Sequence, residues 1–230
     1  MRRLWLLMLC LCAMAQTKQK VEFGYFGTTG NTQTNSITAA YHLRTHPDPK
    51  TTLKFRGDIL YSTRYGDKNN ERYRARMELT RLYSRKFFSY FYLGFLRNVF
   101  QGYDQQYSIN PGLGYRLIHT PTKRLSLKLG YELRRNNYTN QPHENFHYAK
   151  AQLHHLYRLT KKNRLKTTID IIENIEKSQD YEIDFESSLQ LHIVRALSFK
   201  ISFELTYDHL PPAGKKSTDT VTKATIVYSF

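Results

Sequence analysis

Cysteine is nearly absent from this 230-residue chain: Cys10 and Cys12 are the whole complement, and both lie in the first fifteen residues. Whatever follows them holds together without a disulfide, even in an oxidising compartment. Long apolar runs are missing as well. A mean hydropathy of −0.61 argues against a helical membrane protein, but not against a barrel, whose inward half is polar. Acidic residues are scarce, 19 against 35 Lys and Arg, for a net charge of +16. In a cytosolic protein that balance would suggest nucleic acid.

The first residues speak against that compartment. Arg2 and Arg3 precede an apolar centre from Leu4 to Cys12, and Ala13-Met14-Ala15 forms a small-x-small site before Gln16. Residues 1–15 therefore read as a secretory signal, too short to span as a stop-transfer helix, and residues 16–230 as the exported domain. Export makes a nucleic-acid partner the wrong expectation. Leu11 stands where a lipidated Cys12 would want a small residue, so lipidation is disfavoured. Without Arg2 and Arg3 the charge is +14.

What the chain has in quantity is alternation. From Tyr181, every second residue (Ile183, Phe185, Ser187, Leu189, Leu191, Ile193) is apolar except Ser187, and Glu182, Asp184, Glu186, Ser188, Gln190 and His192 lie between. After Arg195–Ala196 the pattern resumes with Phe199, Ile201, Phe203, Leu205 and Tyr207 against Lys200, Ser202, Glu204, Thr206 and Asp208. A period of two means strand, and a helical period near 3.6 is absent. These runs exceed the roughly 5–6 residues usual for soluble strands and match the ~9–11 tilted residues a bilayer requires.

Twelve strands follow from this reading, near 20–29, 33–44, 52–65, 71–83, 87–99, 107–118, 124–135, 146–159, 165–175, 181–193, 199–207 and 219–230. No linker or low-complexity segment interrupts them. Residues 30–32 read as a turn, 46–49 as a proline break and 66–70 as a loop. The fifth strand is apolar on both faces, so its pattern does not fix which side looks inward. The even count, the 18 Tyr and 13 Phe and the spacing of turns all fit an all-β, antiparallel, up-and-down transmembrane barrel. Connections at 46–50, 84–86, 120–123, 161–163 and 195–196 are short. Those at 66–70, 101–106, 136–144, 176–180 and 210–218 are mostly longer, as for periplasmic turns and outer loops. None of them looks long enough to fold inward. Phe55, Tyr83, Tyr157, Phe199, Tyr228 and Phe230 are placed at one rim, and Tyr65, Tyr73, Tyr181 and Tyr207 at the other.

Three short motifs carry a family resemblance. They are Gly24-Tyr25-Phe26-Gly27-Thr28-Thr29-Gly30-Asn31-Thr32, Asn110-Pro111-Gly112-Leu113-Gly114-Tyr115-Arg116, and Asp219 with Val227-Tyr228-Ser229-Phe230. Together they resemble the opening hairpin, glycine-rich middle strand and closing strand of the salt-induced outer-membrane proteins (YdiY-like). The resemblance implies an outer-membrane barrel in a Gram-negative envelope and no known activity, so it brings no catalytic residues and no cofactor. Phe230, with Tyr228, also resembles the closing signal read by barrel-insertion machinery.

The inward face is charged. Lys54, Arg56, Arg72, Arg74 and Arg76 form a basic wall; Glu182, Asp184 and Glu186 form an acidic one near Lys200 and Glu204. Opposed walls suit an ion path, and equally a plug of cross-strand pairs. Twelve strands lie between filled small barrels and open porins, which tips the expectation towards an occluded lumen. Enzymatic signals are weak. His154 falls on the opposite face from His147 and His155, and those two lie ~26 Å apart along one strand, too far to share a metal. Glu182, Asp184 and Glu186 would suit Ca²⁺ less well than ion pairing.

Counted with their flanking residues (44–51, 84–86, 120–124, 158–164 and 195), the short connections carry +10 of the charge, and the longer ones (64–72, 101–106, 134–144, 173–182 and 208–219) carry −2. Arg85, Lys86, Lys123, Arg124, Lys161, Lys162 and Arg164 thus outline a basic periplasmic rim that would attract anionic lipid or peptidoglycan. The leading expectation is a passive small-solute or ion pore, or an envelope-structural barrel. A lipid-active barrel enzyme and a soluble periplasmic β-sandwich lipid carrier are the alternatives.

Overall fold

A strand with one apolar and one polar face must bury its edge as well as its faces. In lipid, each unpaired backbone group costs several kcal/mol, so a sheet survives only by closing on itself. The computed structural model, which describes residues 17–28, 33–139 and 142–230, shows that closure. The segment expected to be the export signal, and the 30–32 turn, lie outside the described residues.

Twelve antiparallel strands follow one another around the barrel. They are β1 (Lys18–Thr28), β2 (Thr34–Asp48), β3 (Thr51–Arg64), β4 (Asp67–Leu82), β5 (Phe87–Asn98), β6 (Tyr103–His119), β7 (Lys123–Tyr138), β8 (Glu144–Arg158), β9 (Arg164–Asn174), β10 (Tyr181–Val194), β11 (Leu197–Asp208) and β12 (Thr218–Ser229). A 3-10 turn, Val99–Gln101, precedes β6. The seam is a short ladder pairing Lys20–Phe23 with Ile226–Ser229. Gln19 and Phe230 extend it by exchanging backbone hydrogen bonds of 2.9 and 3.1 Å. The start of β1 and Phe230 therefore sit at the same end as the connections at 49–50, 83–86, 120–122, 159–163 and 195–196, called here the turn end. The other is the loop end.

Side chains segregate as the alternation requires. Phe23, Ile59, Leu129, Tyr131, Ile171, Ile201 and Ile226 are exposed on the outside, whereas Glu22, Asp58, Arg72, Lys128, Glu132, Arg134, Glu182, Lys200 and Glu204 are buried inside. A one-residue slip of β4 would put Arg72, Arg74 and Arg76 into lipid at ~2–4 kcal/mol each near the midplane, so the register is strongly determined. The aromatic residues expected at the two rims all lie on the outer face, where Tyr181 packs against Tyr207 and stacks on His209.

Several boundaries differ from the pattern. The expected loop at 66–70 is ladder: Ser62 pairs with Asn70 and Arg64 with Asp67, leaving a two-residue turn at Tyr65-Gly66. Both turn residues have positive φ, 52° and 88°, the twist a tight hairpin needs. Polar residues there are strand because they project beyond the apolar belt. For the same reason β6 begins at Tyr103 rather than 107 and β7 runs to Tyr138. The prolines at 47 and 49 do not end β2 at 44. It continues to Asp48, with its pairing to β3 shifting register between Thr45 and Asp48.

The fifth strand is resolved by glycine. Phe88, Tyr90 and Tyr92 face inward, and Phe87 and Phe91 face out. Phe88 pairs with Gly114 and Tyr90 with Gly112, which in turn pairs with Gly130. A Cβ on Gly114 would lie 2.2 Å from the Phe88 ring, and one on Gly130 2.3 Å from the Tyr90 hydroxyl. The glycines of the middle strands thus form a trough in the wall into which two aromatic rings are laid. Phe88 is only 5 % exposed and has little room to swing away. Gly114→Ala should therefore destabilise the barrel by about 1–3 kcal/mol, the usual cost of overpacking. In a Phe88→Ala background the same substitution should cost much less, a difference that heat-modifiable gel migration and thermal melts in detergent will read.

Candidate functional site: the bridged lumen

All ten side chains expected on the inner walls (Lys54, Arg56, Arg72, Arg74, Arg76, Glu182, Asp184, Glu186, Lys200 and Glu204) line one interior cavity of about 950 Å³. The two walls meet. Arg56 on β3 reaches Glu186 on β10 at 3.1 Å, Arg72 on β4 reaches Glu204 on β11 at 2.9 Å, and Arg74 reaches the other Glu204 oxygen at 3.4 Å. Arg76 lies 4.0 Å from Glu186. Since β4 and β11 are separated by four strands on one side and six on the other, these contacts bridge the lumen.

Asp58, absent from the expected wall, organises the near side. Arg56, Arg74 and Arg76 approach its carboxylate at 3.3, 3.2 and 3.4 Å, and Arg72 at 3.7 Å. Four guanidinium groups would repel one another strongly in a narrow space. One carboxylate between them, with Glu186 and Glu204 opposite, makes the arrangement tolerable. The signal for Asp58 was present, since it is an inward residue paired across the ladder with Arg74.

The bridges cross the lumen, with further ion pairs on either side of them. On the β1–β2–β12 side, Glu22 is paired with Lys200 and with His42 at 3.0 Å, and Lys223 is paired with Glu204. On the larger β5–β9 side, Glu78 holds Lys54 at 2.8 Å and Lys128 at 2.5 Å. Lys150 lies 3.2 Å from Glu132 and 3.5 Å from Asp170, and Arg134 sits 2.6 Å from Glu182. Lys128 and Lys150 lie over the Tyr90 and Tyr92 rings at 4.9 and 5.6 Å, a cation–π contact that fixes their stems against the wall.

The loop end departs from expectation. Residues 209–217, judged unable to reach inward from their length, lean across the mouth, and Pro211 and Pro212 line the cavity. A Cβ on Gly102, in the β5–β6 turn, would lie 2.9 Å from Pro212. Gln101 donates to Asp219 at 2.8 Å, and the Tyr103 hydroxyl donates to Asp208 at 3.3 Å. These contacts join opposite sides of the barrel, so the loop roofs part of the opening. Two prolines make a short segment stiff enough for this, which length alone does not reveal.

The basic rim also needs correction. Arg124 and Arg164 line the cavity rather than the outer turns, because their strands begin one residue earlier or at that residue. Arg85, Lys86, Lys123, Lys161 and Lys162 remain at the rim, with Lys86 over Tyr115 and Lys123 over Tyr157. The histidines separate as expected: His154 lines the cavity, His155 stacks on Tyr157, and His147 bonds to the Tyr131 hydroxyl. Among the described residues, no group of three His, Cys, Asp or Glu side chains is arranged to hold a metal. Glu182 and Glu186 are engaged by arginines.

A closed antiparallel barrel with an apolar outer belt and a charged interior defines an outer-membrane β-barrel of porin-like architecture. The family model described as "Protein of unknown function, DUF481" matches residues 21–230, and the chain belongs to that family. It is 22% identical over 216 residues to the uncharacterized protein YdiY of Escherichia coli (strain K12), covering 90% of this chain and 81% of that protein. Solved structures share the fold at low identity. A NanC porin superposes with a TM-score of 0.55 at 8% identity, over 92% of this chain and 97% of the other. The COG4313 outer membrane channel from Pseudomonas putida F1 gives 0.53 at 10%, over 94% and 95%. A KdgM porin in complex with disordered oligogalacturonate gives 0.51 at 9%, over 92% and 99%.

The charge cluster makes a sharp stability prediction. Asp58→Asn removes the shared counter-charge of four arginines and should cost about 3–5 kcal/mol, as when one partner of a buried pair is deleted. Glu71→Gln, which loosens the Lys68 contact at 2.7 Å, the Arg97 contact at 3.4 Å and the hydrogen bond donated by Tyr73 at 2.9 Å, all near the loop end, should cost less than about 1 kcal/mol. Urea unfolding of the two variants in lipid vesicles measures the difference.

Proposed function

We propose that this protein is a narrow, passive diffusion channel of the Gram-negative outer membrane. Residues 1–15 would serve as its export signal, and Tyr228 and Phe230 would present the closing strand to the insertion machinery. The turn end then faces the periplasm, as short turns and both termini do in such barrels. There the rim cations Arg85, Lys86, Lys123, Lys161 and Lys162 would meet anionic headgroups or peptidoglycan.

The observation that carries this reading is the continuity of the cavity. One space borders Lys18, Arg44 and Arg158 at the turn end and Gln101, Pro212, Lys216 and Asp219 at the loop end. The Arg72–Glu204 and Arg56–Glu186 bridges narrow it midway, so the solutes it passes must be small. The same bridges and the proline roof favour a second reading: a sealed barrel acting as a structural element of the envelope.

Planar-bilayer recording distinguishes the two. The channel reading expects discrete, salt-dependent steps smaller than those of an open porin, and larger steps from a Glu186→Gln/Glu204→Gln variant or one lacking residues 211–216. A folded wild-type barrel that never conducts would establish the sealed reading instead.

A further inference from the structure

The cavity has unlike ends. At the turn end, Lys20, Arg44, Arg116, Arg124, Arg164 and Lys166 all line it, and among the described residues none of the six is in an ion pair. They come from β1, β2, β6, β7 and β9, that is, from facing walls. Arg44 lies within electrostatic reach of Arg116 and Arg124, and Lys20 of Arg164 and Lys166. The nearby carboxylates Glu22, Glu78 and Glu186 are already held, by Lys200 and His42, by Lys54 and Lys128, and by Arg56. At the loop end the lining carries Glu182, Asp184, Asp208 and Asp219 instead.

Unpaired cations gathered from opposite walls repel one another, and folding does not bring them together for stability's sake. A second observation points the same way. The Nε of Arg124 is buried and has no hydrogen-bond partner. A buried donor left unmade is destabilising, and an anion in the cavity would satisfy it. Guanidinium groups present paired donors that suit carboxylate and phosphate oxygens, with the lysines adding charge.

We propose that the turn-end half of the lumen is a binding vestibule for a compact polyanion, a multiply charged carboxylate or phosphate compound, held between Lys20 and Arg44 on β1 and β2 and Arg116, Arg124, Arg164 and Lys166 on β6, β7 and β9. The vestibule needs no through-conduction, so it stands apart from the channel reading. It also differs from the rim, whose cations lie on or beside the turns and outside the cavity.

Isothermal titration calorimetry on the folded barrel in zwitterionic detergent tests it, with citrate as one probe and pyrophosphate as the other. One-site binding of either at low salt is expected, weakening as salt screens the charges. Citrate alone would mark the site as a carboxylate site, and pyrophosphate alone as a phosphate site. Arg124→Gln/Lys166→Gln should lower the affinity at least about tenfold per cation removed, the loss expected of a charge-assisted hydrogen bond. Lys161→Gln/Lys162→Gln at the rim should leave it unchanged. Arg44→Gln guards against misfolding as an explanation: with repulsion relieved, it should unfold at the same or a higher temperature than wild type. Absence of binding to both probes, loss of binding in the rim variant but not the lumen variant, or a lowered unfolding temperature for Arg44→Gln would each overturn the proposal.

Discussion

Two carboxylates, Asp58 and Glu204, hold the interior of this barrel together. Asp58 is shared among Arg56, Arg72, Arg74 and Arg76, and Glu204 draws Arg72 and Arg74 from the facing wall and Lys223 from the neighbouring strand. Neither set of charges is tolerable alone. Desolvating an ion is expensive, and a pair repays it only when both partners are present and well placed. The bridges therefore have to form together with the closure of the sheet, because β4 and β11 meet only once the seam between β1 and β12 is made. They also narrow the lumen midway.

Everything else about the interior follows from where those bridges leave space. On the β5–β9 side, aromatic rings occupy the wall itself, sunk over Gly112, Gly114 and Gly130, so that Lys128 and Lys150 can lie across them without filling the passage. Towards the turns the cations outnumber their partners, and towards the loops carboxylates line the cavity under a proline-stiffened roof. A tube built this way is electrically polar along its axis. A low-dielectric wall focuses the field of the residues lining it.

Much of this was legible in the amino-acid pattern. Strands β7, β10 and β11 alternate so cleanly that their facing, their inward charges and the barrel itself follow from period alone. What was not legible has a physical reason in each case. Strand β5 is apolar on both faces, and its facing is decided by glycines one and two strands away. The polar ladder at Asp67–Asn70 looks like loop because it stands clear of lipid, where alternation no longer matters. The roof depends on two prolines directing a nine-residue connection, and the pairing of Arg72 with Glu204 depends on the shear of the closed barrel. No local pattern encodes that shear. Asp58 was readable as an inward residue, but its importance appears only when four arginines are seen to converge on it.

The most direct test of the bridged lumen is a double-mutant cycle across it, with Arg72→Gln and Glu204→Gln made singly and together. Unfolding free energies in vesicles give the coupling. A bridge between facing walls predicts that the double variant departs from additivity by about 1–3 kcal/mol, as residues in one network do. Additivity to within about 0.5 kcal/mol, the behaviour of independent sites, would mean that the walls do not touch and that the lumen is open where it is described as bridged.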